Sequence, residues 1–380
     1  MSRSILHVVG GMNQGGVETW LMHVLRHIDR ESYQMDFLVQ SEVSCVYDEE
    51  IRSLGSRIIS CLGHKRPWVF ARNFARALRE NGPYDVVHSH VHHYSGFVLY
   101  LAFQYGIPLR IAHSHSDTRA HETQKGLLRQ IYLQVMKALI HRYATYGIAA
   151  SAPAAVSLFG AGWQNDPRWK ILYCGIDLTP FSTDTNRSRV RKELGIPADT
   201  PVIGHVGRFA EPKNHTFLLD VMDRVMQRNE KVHLLLVGDG PLRAKMEEKA
   251  RSLGIAERVI FLGSRDDVPR LMKEGMDVFL FPSLYEGLGL VLVEAQAAGL
   301  PCVISDVIPR EADLIPALVT RLNLEQSIEY WGNAVVGQLS TKKKYQEEAF
   351  QTVLKSPFSI EKSVENLMVV YGQSNLRNHQ

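Results

Sequence analysis

ILHVVGGMNQGGVETWLMHVL, residues 5–25, reads as a strand, a glycine turn and a helix in immediate succession. Ile5 to Val9 is a short β-branched and leucine run of the kind that makes a buried strand. Val17, Leu21, Val24, Leu25 and Ile28 then recur at helical spacing. Between them lie Gly10-Gly11 and Gly15-Gly16. Glycines there permit unusual backbone angles and close approach of another group, while the first amides of a helix starting near Gly16 lack internal partners and attract anions. The position suits a phosphate. Strand-to-helix turns also carry glycine for purely steric reasons, and the spacing is neither G-x-G-x-x-G nor G-x-x-x-x-G-K-[ST], so a Walker-type ATPase is disfavoured.

The same alternation runs outward from this stretch. Apolar segments at 4–9, 35–39, 57–61, 84–88, 109–113 and 146–150 alternate with helical patterns at 16–28, 67–81, 94–105 and 122–144. After the polar stretch DLTPFSTDTNRSRVRKELGIPADT the pattern restarts, with strand candidates at 201–206, 232–237, 258–262, 277–281 and 301–304. This predicts an α/β chain of two doubly wound, Rossmann-like domains facing each other across a cleft: 1–180, a linker at 181–200, and 201–356. Residues 357–380 form a C-terminal helix and tail. Ligands of such sheets bind outside the carboxyl ends of the strands.

Composition narrows the class. A length of 380 residues suits two or three domains, and a 45% hydrophobic, 22% charged chain is expected to fold as an ordinary globular protein. Cys45, Cys61, Cys174 and Cys302 show no C-x-x-C spacing, which argues against a zinc site or a disulfide framework and for buried thiols in a reducing cytosol. The N-terminus lacks a signal-peptide core, and no apolar run approaches the roughly 18 residues of a spanning helix.

Three stretches fall at strand ends of the second half. VIGHVGRFAEPKNH places Arg208 and Lys213 beside a glycine turn, where two cations can neutralise a diphosphate; either one alone reads as an ordinary solvated cation. LLLVGDGPLRAKM offers Gly238 and Gly240 as a tight turn. VFLFPSLYEGLGLVLVEAQAAGLPCV places Glu286 after a strand and Glu294 inside an apolar helix start. If that helix begins near Gly289, Leu290 and Val291 offer free amides to an anion, and Glu294 lies about one turn deeper. A carboxylate in so apolar a setting needs donors such as sugar hydroxyls, or an internal arginine.

Together, GGMNQGGVE, GRFAEPKN and EGLGLVLVE, the last an E-x7-E pattern from Glu286 to Glu294, resemble the retaining, metal-independent GT-B glycosyltransferases of the large family four, group 1 type, polysaccharide-biosynthesis branch. The resemblance covers nearly the whole chain. It implies transfer of a hexosyl or N-acetylhexosaminyl group from a nucleoside-diphosphate sugar, expected to be UDP-linked, to an acceptor hydroxyl with retention. It assigns Arg208 and Lys213 to the leaving diphosphate, Glu294 to the ribose, Glu286 to hydroxyls of the donor sugar, the amides of Leu290 and Val291 to the phosphates, and Gly15 and Gly16 to the diphosphate from the first domain. The first domain binds the acceptor in this scheme. The two glutamates position substrates and are not a hydrolase acid/base pair.

The family also carries a histidine after a first-domain strand, close to the reacting sugar. PLRIAHSHSDT offers His113 and His115, read as competing for one place toward the cleft; His115, further past the strand end, is chosen. The upstream HSHVHHYSG, 88–96, is read as strand-end histidines and not as a metal site, since no Cys or paired acids accompany it. With no D-x-D in the sequence, no metal or other cofactor is expected, cations and helix ends taking the place of Mg²⁺. One rival is an NAD(P)-dependent oxidoreductase, which needs an acid at the end of the second strand, where MDFLVQSE places Gln40. Another is a non-catalytic sugar-nucleotide-binding partner subunit.

Net charge is +3 over the whole chain, yet residues 60–142 hold eleven Lys and Arg against four acids. This excess accompanies Trp68 and Phe70, and the stripe Leu128, Ile131, Tyr132, Val135, Met136 and Leu139. Basic amphipathic helices can lie on anionic membranes. The expectation is a cytoplasmic enzyme docked peripherally on the inner leaflet, acting on a lipid-linked or oligosaccharide acceptor, with no nucleic-acid partner. Ile360, Val364, Leu367, Met368 and Tyr371 share one helical face, and the family's C-terminal helix crosses back to the first domain.

Overall fold

The computed structural model describes residues 2–119, 126–182, 187–339 and 346–372. The chain divides into two compact units, Met1–Ile176 with Ile360–Gln380, and Asp177–Ser359. The first unit is built on β1 (Arg3–Val9), β2 (Tyr33–Val39), β3 (Ile58–Ser60), β4 (Val86–Ser89), β5 (Leu109–Ser114), β6 (Tyr146–Ala149) and β7 (Trp169–Ile171). All pairings are parallel, in the order β3-β2-β1-β4-β5-β6-β7. The central strands are buried along their inner lengths, as a sheet covered by helices on both faces requires.

The second unit repeats the plan with β8 (Val202–Val206), β9 (His233–Val237), β10 (Val259–Phe261), β11 (Val278–Phe281), β12 (Cys302–Ser305) and β13 (Val319–Leu322), parallel in the order β10-β9-β8-β11-β12-β13. Each sheet therefore reverses its winding once, between β1 and β4 and between β8 and β11. The carboxyl ends of these strand pairs are the places where doubly wound sheets bind ligands. Two edge strands, β7 and β13, were not expected. Trp-Lys-Ile and Val-Thr-Arg-Leu are too short and too polar to stand out as apolar runs.

The stretch 181–200 is not a linker throughout. Arg187–Glu193 is a helix of the second unit, pinned by Arg191, whose side chain is 1% exposed and lies 2.6 Å from Asp277 Oδ2. Asp277 also accepts from the amide of Val202 at 2.9 Å, so one buried ion pair seats this helix at the start of β8. A polar composition concealed a packed element. The helix expected over 122–144 runs over Leu127–Tyr143, and the start of that expectation lies outside the described residues.

The chain returns to the first unit through the helix Ile360–Gly372. Ile360 N donates to Ile176 O at 3.0 Å, Trp20 Nε1 donates to Ser363 Oγ at 3.0 Å, and Ser363 Oγ donates to Tyr173 O at 3.0 Å. Its buried face is Ile360, Ser363, Val364, Leu367, Val370 and Tyr371, with Met368 at the margin. No described helix is long and apolar enough to cross a membrane.

Candidate active site

The β8/β11 reversal assembles most of the residues singled out in the second half. β8 ends at Val206; Gly207 and Arg208 follow, then a one-turn helix Glu211–Lys213. Asn214 takes a left-handed conformation, φ 52°, and starts the helix His215–Arg228, so Lys213 projects from a tight double turn. Leu284 N donates to Pro212 O at 2.8 Å and ties the loop after β11 to this turn. Gly238, at φ +135°, packs so closely that a Cβ would meet Gly207 O at 2.2 Å, so the Gly238–Gly240 turn is architecture that supports the Arg208 loop.

Lys213 Nζ lies 2.6 Å from Glu286 Oε1 and 4.9 Å from the centre of the Phe281 ring, and Ser283 Oγ donates to the same Glu286 oxygen at 2.7 Å. The side chains of Lys213 and Glu286 are 20% and 12% exposed. The structure thus joins the cation assigned to the diphosphate with the carboxylate assigned to the sugar. Arg208 is exposed, and its guanidinium makes no hydrogen bond or ion pair with described residues.

The helix Leu290–Ala297 begins at Gly289, φ +83°, with no side-chain cap. The amides of Leu290 and Val291 therefore stand open at its N-terminus. Glu294 follows, partly buried, and burial pushes its carboxyl up to about 7 while the charge of Lys213 opposes the shift. One ammonium therefore acts on both glutamates. Beneath it lie two residues that sequence reasoning missed, His205 and His215, with ring centres 4.8 Å apart. Burial holds both imidazoles neutral, His215 down to about 4, so positive charge stays concentrated on Arg208 and Lys213. Alternation along β8 places His205 inside, but nothing in its sequence neighbourhood marks it as part of the site.

The β1/β4 reversal lies in the first unit. Gly15 precedes the uncapped helix Gly16–His27, and a Cβ built at Gly10 or Gly16 meets nothing within 4 Å. Neither position needs glycine for packing, and neither has the positive φ that favours it. The open space is what close approach of a ligand requires. The expectation that His113 and His115 compete for one facing position is corrected. Residues two apart on a strand share a face, and these two rings stack with centres 3.8 Å apart. They differ in depth: His113 is fully buried in β5, and His115, one residue beyond it, is partly exposed. A cavity of about 470 Å³ opens beyond β2 and β3, lined by Ser41, Glu42, Arg52, Asn73 and Arg76 among others.

Comparisons with known proteins give the family. The family model described as "Glycosyltransferase Family 4" matches residues 14–180, and "Glycosyl transferases group 1" matches residues 186–347. The putative glycosyltransferase EpsF of Bacillus subtilis is 38% identical over 99% of this chain and 98% of its own. The chain belongs to the family 4, group 1 glycosyltransferases. The glycosyltransferase CapH of Staphylococcus aureus, named for capsular polysaccharide biosynthesis, is 27% identical over 77% of this chain and 78% of its own. Among solved structures, Anabaena HepE in complex with UDP and glucose superposes with a TM-score of 0.80 at 21% identity, over 97% of this glycosyltransferase and 98% of HepE, and shares the GT-B fold.

Family membership removes the oxidoreductase rival, and the structure shows why that reading lacked its key residue. Asp36 is buried within β2, where Arg57 Nη2 and Tyr84 Oη donate to it at 2.7 Å and 2.8 Å, so it serves the core of the glycosyltransferase.

Proposed function

We propose that this glycosyltransferase moves a hexosyl or N-acetylhexosaminyl group from a UDP-sugar to an acceptor hydroxyl, with retention at the anomeric carbon, in capsule or exopolysaccharide synthesis. One observation carries the reading: the ammonium of Lys213 touches Glu286 and its charge also acts on Glu294, on a helix whose start at Leu290 and Val291 has no side-chain cap. A diphosphate set against that helix start receives two backbone amides and the charges of Lys213 and Arg208. Preorganised donors of this kind stabilise the charge that develops on a departing phosphate. Ribose hydroxyls donate to Glu294, and hydroxyls of the sugar donate to Glu286, exchanging with its Lys213 contact. The leaving phosphate takes the acceptor proton on the same face, and no metal takes part in these steps. HepE binds UDP and CapH is named for capsular polysaccharide biosynthesis, and both precedents favour this donor and product class.

The acceptor belongs to the first unit and is proposed to be lipid-linked. Leu128, Ile131 and Val135 are 84%, 48% and 49% exposed on the helix Leu127–Tyr143, whose buried side is Leu133, Met136 and Ile140. The apolar stripe read from the sequence is therefore split between core and surface. Trp68 is likewise 73% exposed beside the exposed Lys65, Arg66, Arg72 and Arg76, whereas Phe70 belongs to the core. Exposed apolar residues among cations suit an anionic bilayer surface, which supports peripheral docking on the cytoplasmic leaflet. The test is transfer by the purified chain from a panel of UDP-sugars to polyprenyl-diphosphate sugars in mixed micelles. UDP release that requires both substrates, with a product of retained configuration by proton NMR, is expected. An inverted product, or no transfer with any UDP-sugar that binds, would overturn the reading.

A further inference from the structure

Five histidines meet at the β1/β4 reversal of the first unit. His7 and His88 are register partners on neighbouring strands, His90 follows two residues later on the same face, and His113 and His115 approach from β5. Each pair faces nitrogen to nitrogen. His7 Nδ1 lies 3.0 Å from His90 Nε2, His90 Nδ1 lies 2.9 Å from His115 Nε2, and His88 Nε2 lies 3.1 Å from His113 Nδ1. The function proposed above makes no use of this cluster.

The outer nitrogens of three of these rings are all occupied. His115 Nδ1 faces Cys174 Sγ at 3.8 Å, His113 Nδ1 faces His88, and His90 Nε2 faces His7. If each outer nitrogen carries the proton and donates it, the lone pairs of His115 Nε2, His90 Nδ1 and His113 Nε2 are left to the interior of the cluster. That tautomer set continues without conflict, because His88 Nδ1 can donate to Tyr371 Oη at 2.9 Å. A histidine whose remote N–H is held by an acceptor is the arrangement found behind metal-ligating imidazoles. A second observation points the same way. His113 is fully buried, and its Nε2 finds no hydrogen-bond partner among the described residues. A buried polar atom left unsatisfied costs about 1–3 kcal/mol unless something fills its need.

We propose that His90, His113 and His115 bind a divalent cation of the kind that prefers imidazole, with Zn²⁺ the best match, through one nitrogen each. Their ligand atoms lie within 4.8 Å of one another. Two nitrogens 2.9 Å apart can both sit about 2.1 Å from an ion at an angle of about 90°, and a shift of about 0.5 Å opens the angle to tetrahedral. In the free chain one proton bridges His90 and His115; the ion takes its place as that proton shifts to the outer nitrogen of its own ring, and the His113 lone pair completes a three-histidine face. With three neutral ligands and no carboxylate among them, the ion keeps its positive charge and an open fourth position. Water or a phosphate oxygen suits that position. The partial exposure of His90 and His115 gives the route of entry.

The test uses the full chain without a polyhistidine tag. It is titrated with Zn²⁺ by calorimetry and with Co²⁺ by absorption spectroscopy. One equivalent is expected, with tetrahedral Co²⁺ bands and no thiolate charge-transfer band, because Cys174 lies behind His115 and does not ligate. His113→Gln is expected to weaken binding by more than about 100-fold, and Cys174→Val by about 10-fold as an outer-shell change. Circular dichroism confirms that each variant is folded. Absence of any Co²⁺ spectrum in the unmodified chain overturns the site, whatever the variants do. So does a folded His113→Gln chain that binds as tightly as the unmodified one. Loss on His7→Gln but not on His113→Gln would move the ion to the overlapping His7, His88 and His90 group and overturn the assignment.

Discussion

Replacing Lys213 by Met separates two consequences of one ammonium group. In the folded chain its Nζ lies 2.6 Å from Glu286 Oε1, and the two side chains are 20% and 12% exposed. Breaking a buried pair by removing one partner costs about 3–5 kcal/mol, and an exposed pair is worth about 0–1. With both tips still touching solvent and Ser283 still donating to the carboxylate, about 1–2 kcal/mol of stability should be lost, a fall in Tm of about 2–8 °C for a chain portion of this size. The rate should fall further. A preorganised charge on the leaving diphosphate is worth about 3–4 kcal/mol, or about 10²–10³-fold in turnover. The double variant Lys213→Met/Glu286→Gln removes the stranded carboxylate, so its Tm should recover while its turnover does not. The assays are differential scanning calorimetry and UDP release from donor plus acceptor. Turnover of Lys213→Met within about threefold of the unmodified enzyme would refute the assigned role of the cation. Recovery of turnover together with Tm in the double variant would show that the ammonium serves only to hold Glu286.

Arg208, exposed and without a partner among the described residues, should behave differently: Arg208→Ala should lower turnover by about 10²-fold or more with Tm unchanged, and a parallel fall in Tm would contradict its placement. Glu294 carries a pH signature. Its carboxyl, raised to about 7 by burial, is protonated in the folded chain where the unfolded chain is ionised. Stability should therefore fall as pH rises from about 4.5 to about 7, by up to about 3 kcal/mol. UDP affinity, which needs the ionised acceptor, should rise over the upper part of that range. Glu294→Gln should flatten both profiles, and an unchanged slope of UDP affinity in calorimetry would remove the ribose assignment. Lys65/Arg66/Arg72/Arg76→Glu should abolish co-sedimentation with anionic liposomes at low salt, each cation being worth about 1 kcal/mol. Binding that survives both this change and Leu128/Ile131/Val135→Ser would place the membrane contact elsewhere. Truncation after Pro357 removes the hydrogen-bond partners of Trp20 and His88 and should give insoluble protein, a result contradicted by a soluble and active truncated chain.

The strands at the centre of both sheets were legible because they are buried on both faces and so are written as continuous apolar runs. The edge strands Trp169–Ile171 and Val319–Leu322 were not, since one polar residue in three, or two in four, erases so short a signal. The helix Arg187–Glu193 was hidden for a different reason: its anchor is a buried arginine, and composition counts arginine as a sign of solvent. At the site, Arg208, Lys213, Glu286 and Glu294 could be found from spacing and resemblance, but the contact between Lys213 and Glu286 could not, because it joins residues 73 positions apart. The histidines of the first unit show the limit most plainly. The ends of β4 and β5 each betray a pair, while their meeting with each other and with His7 depends on the strand order.

The central claim, that the second unit holds the nucleotide at the helix start beside Lys213, is tested most directly by amide hydrogen exchange with and without saturating UDP. Exchange should slow at Leu290 and Val291 and across the 207–214 turn, and Glu294→Gln should lessen the effect. If UDP binds and those amides exchange as fast as in the free enzyme, the nucleotide lies elsewhere and the account is wrong.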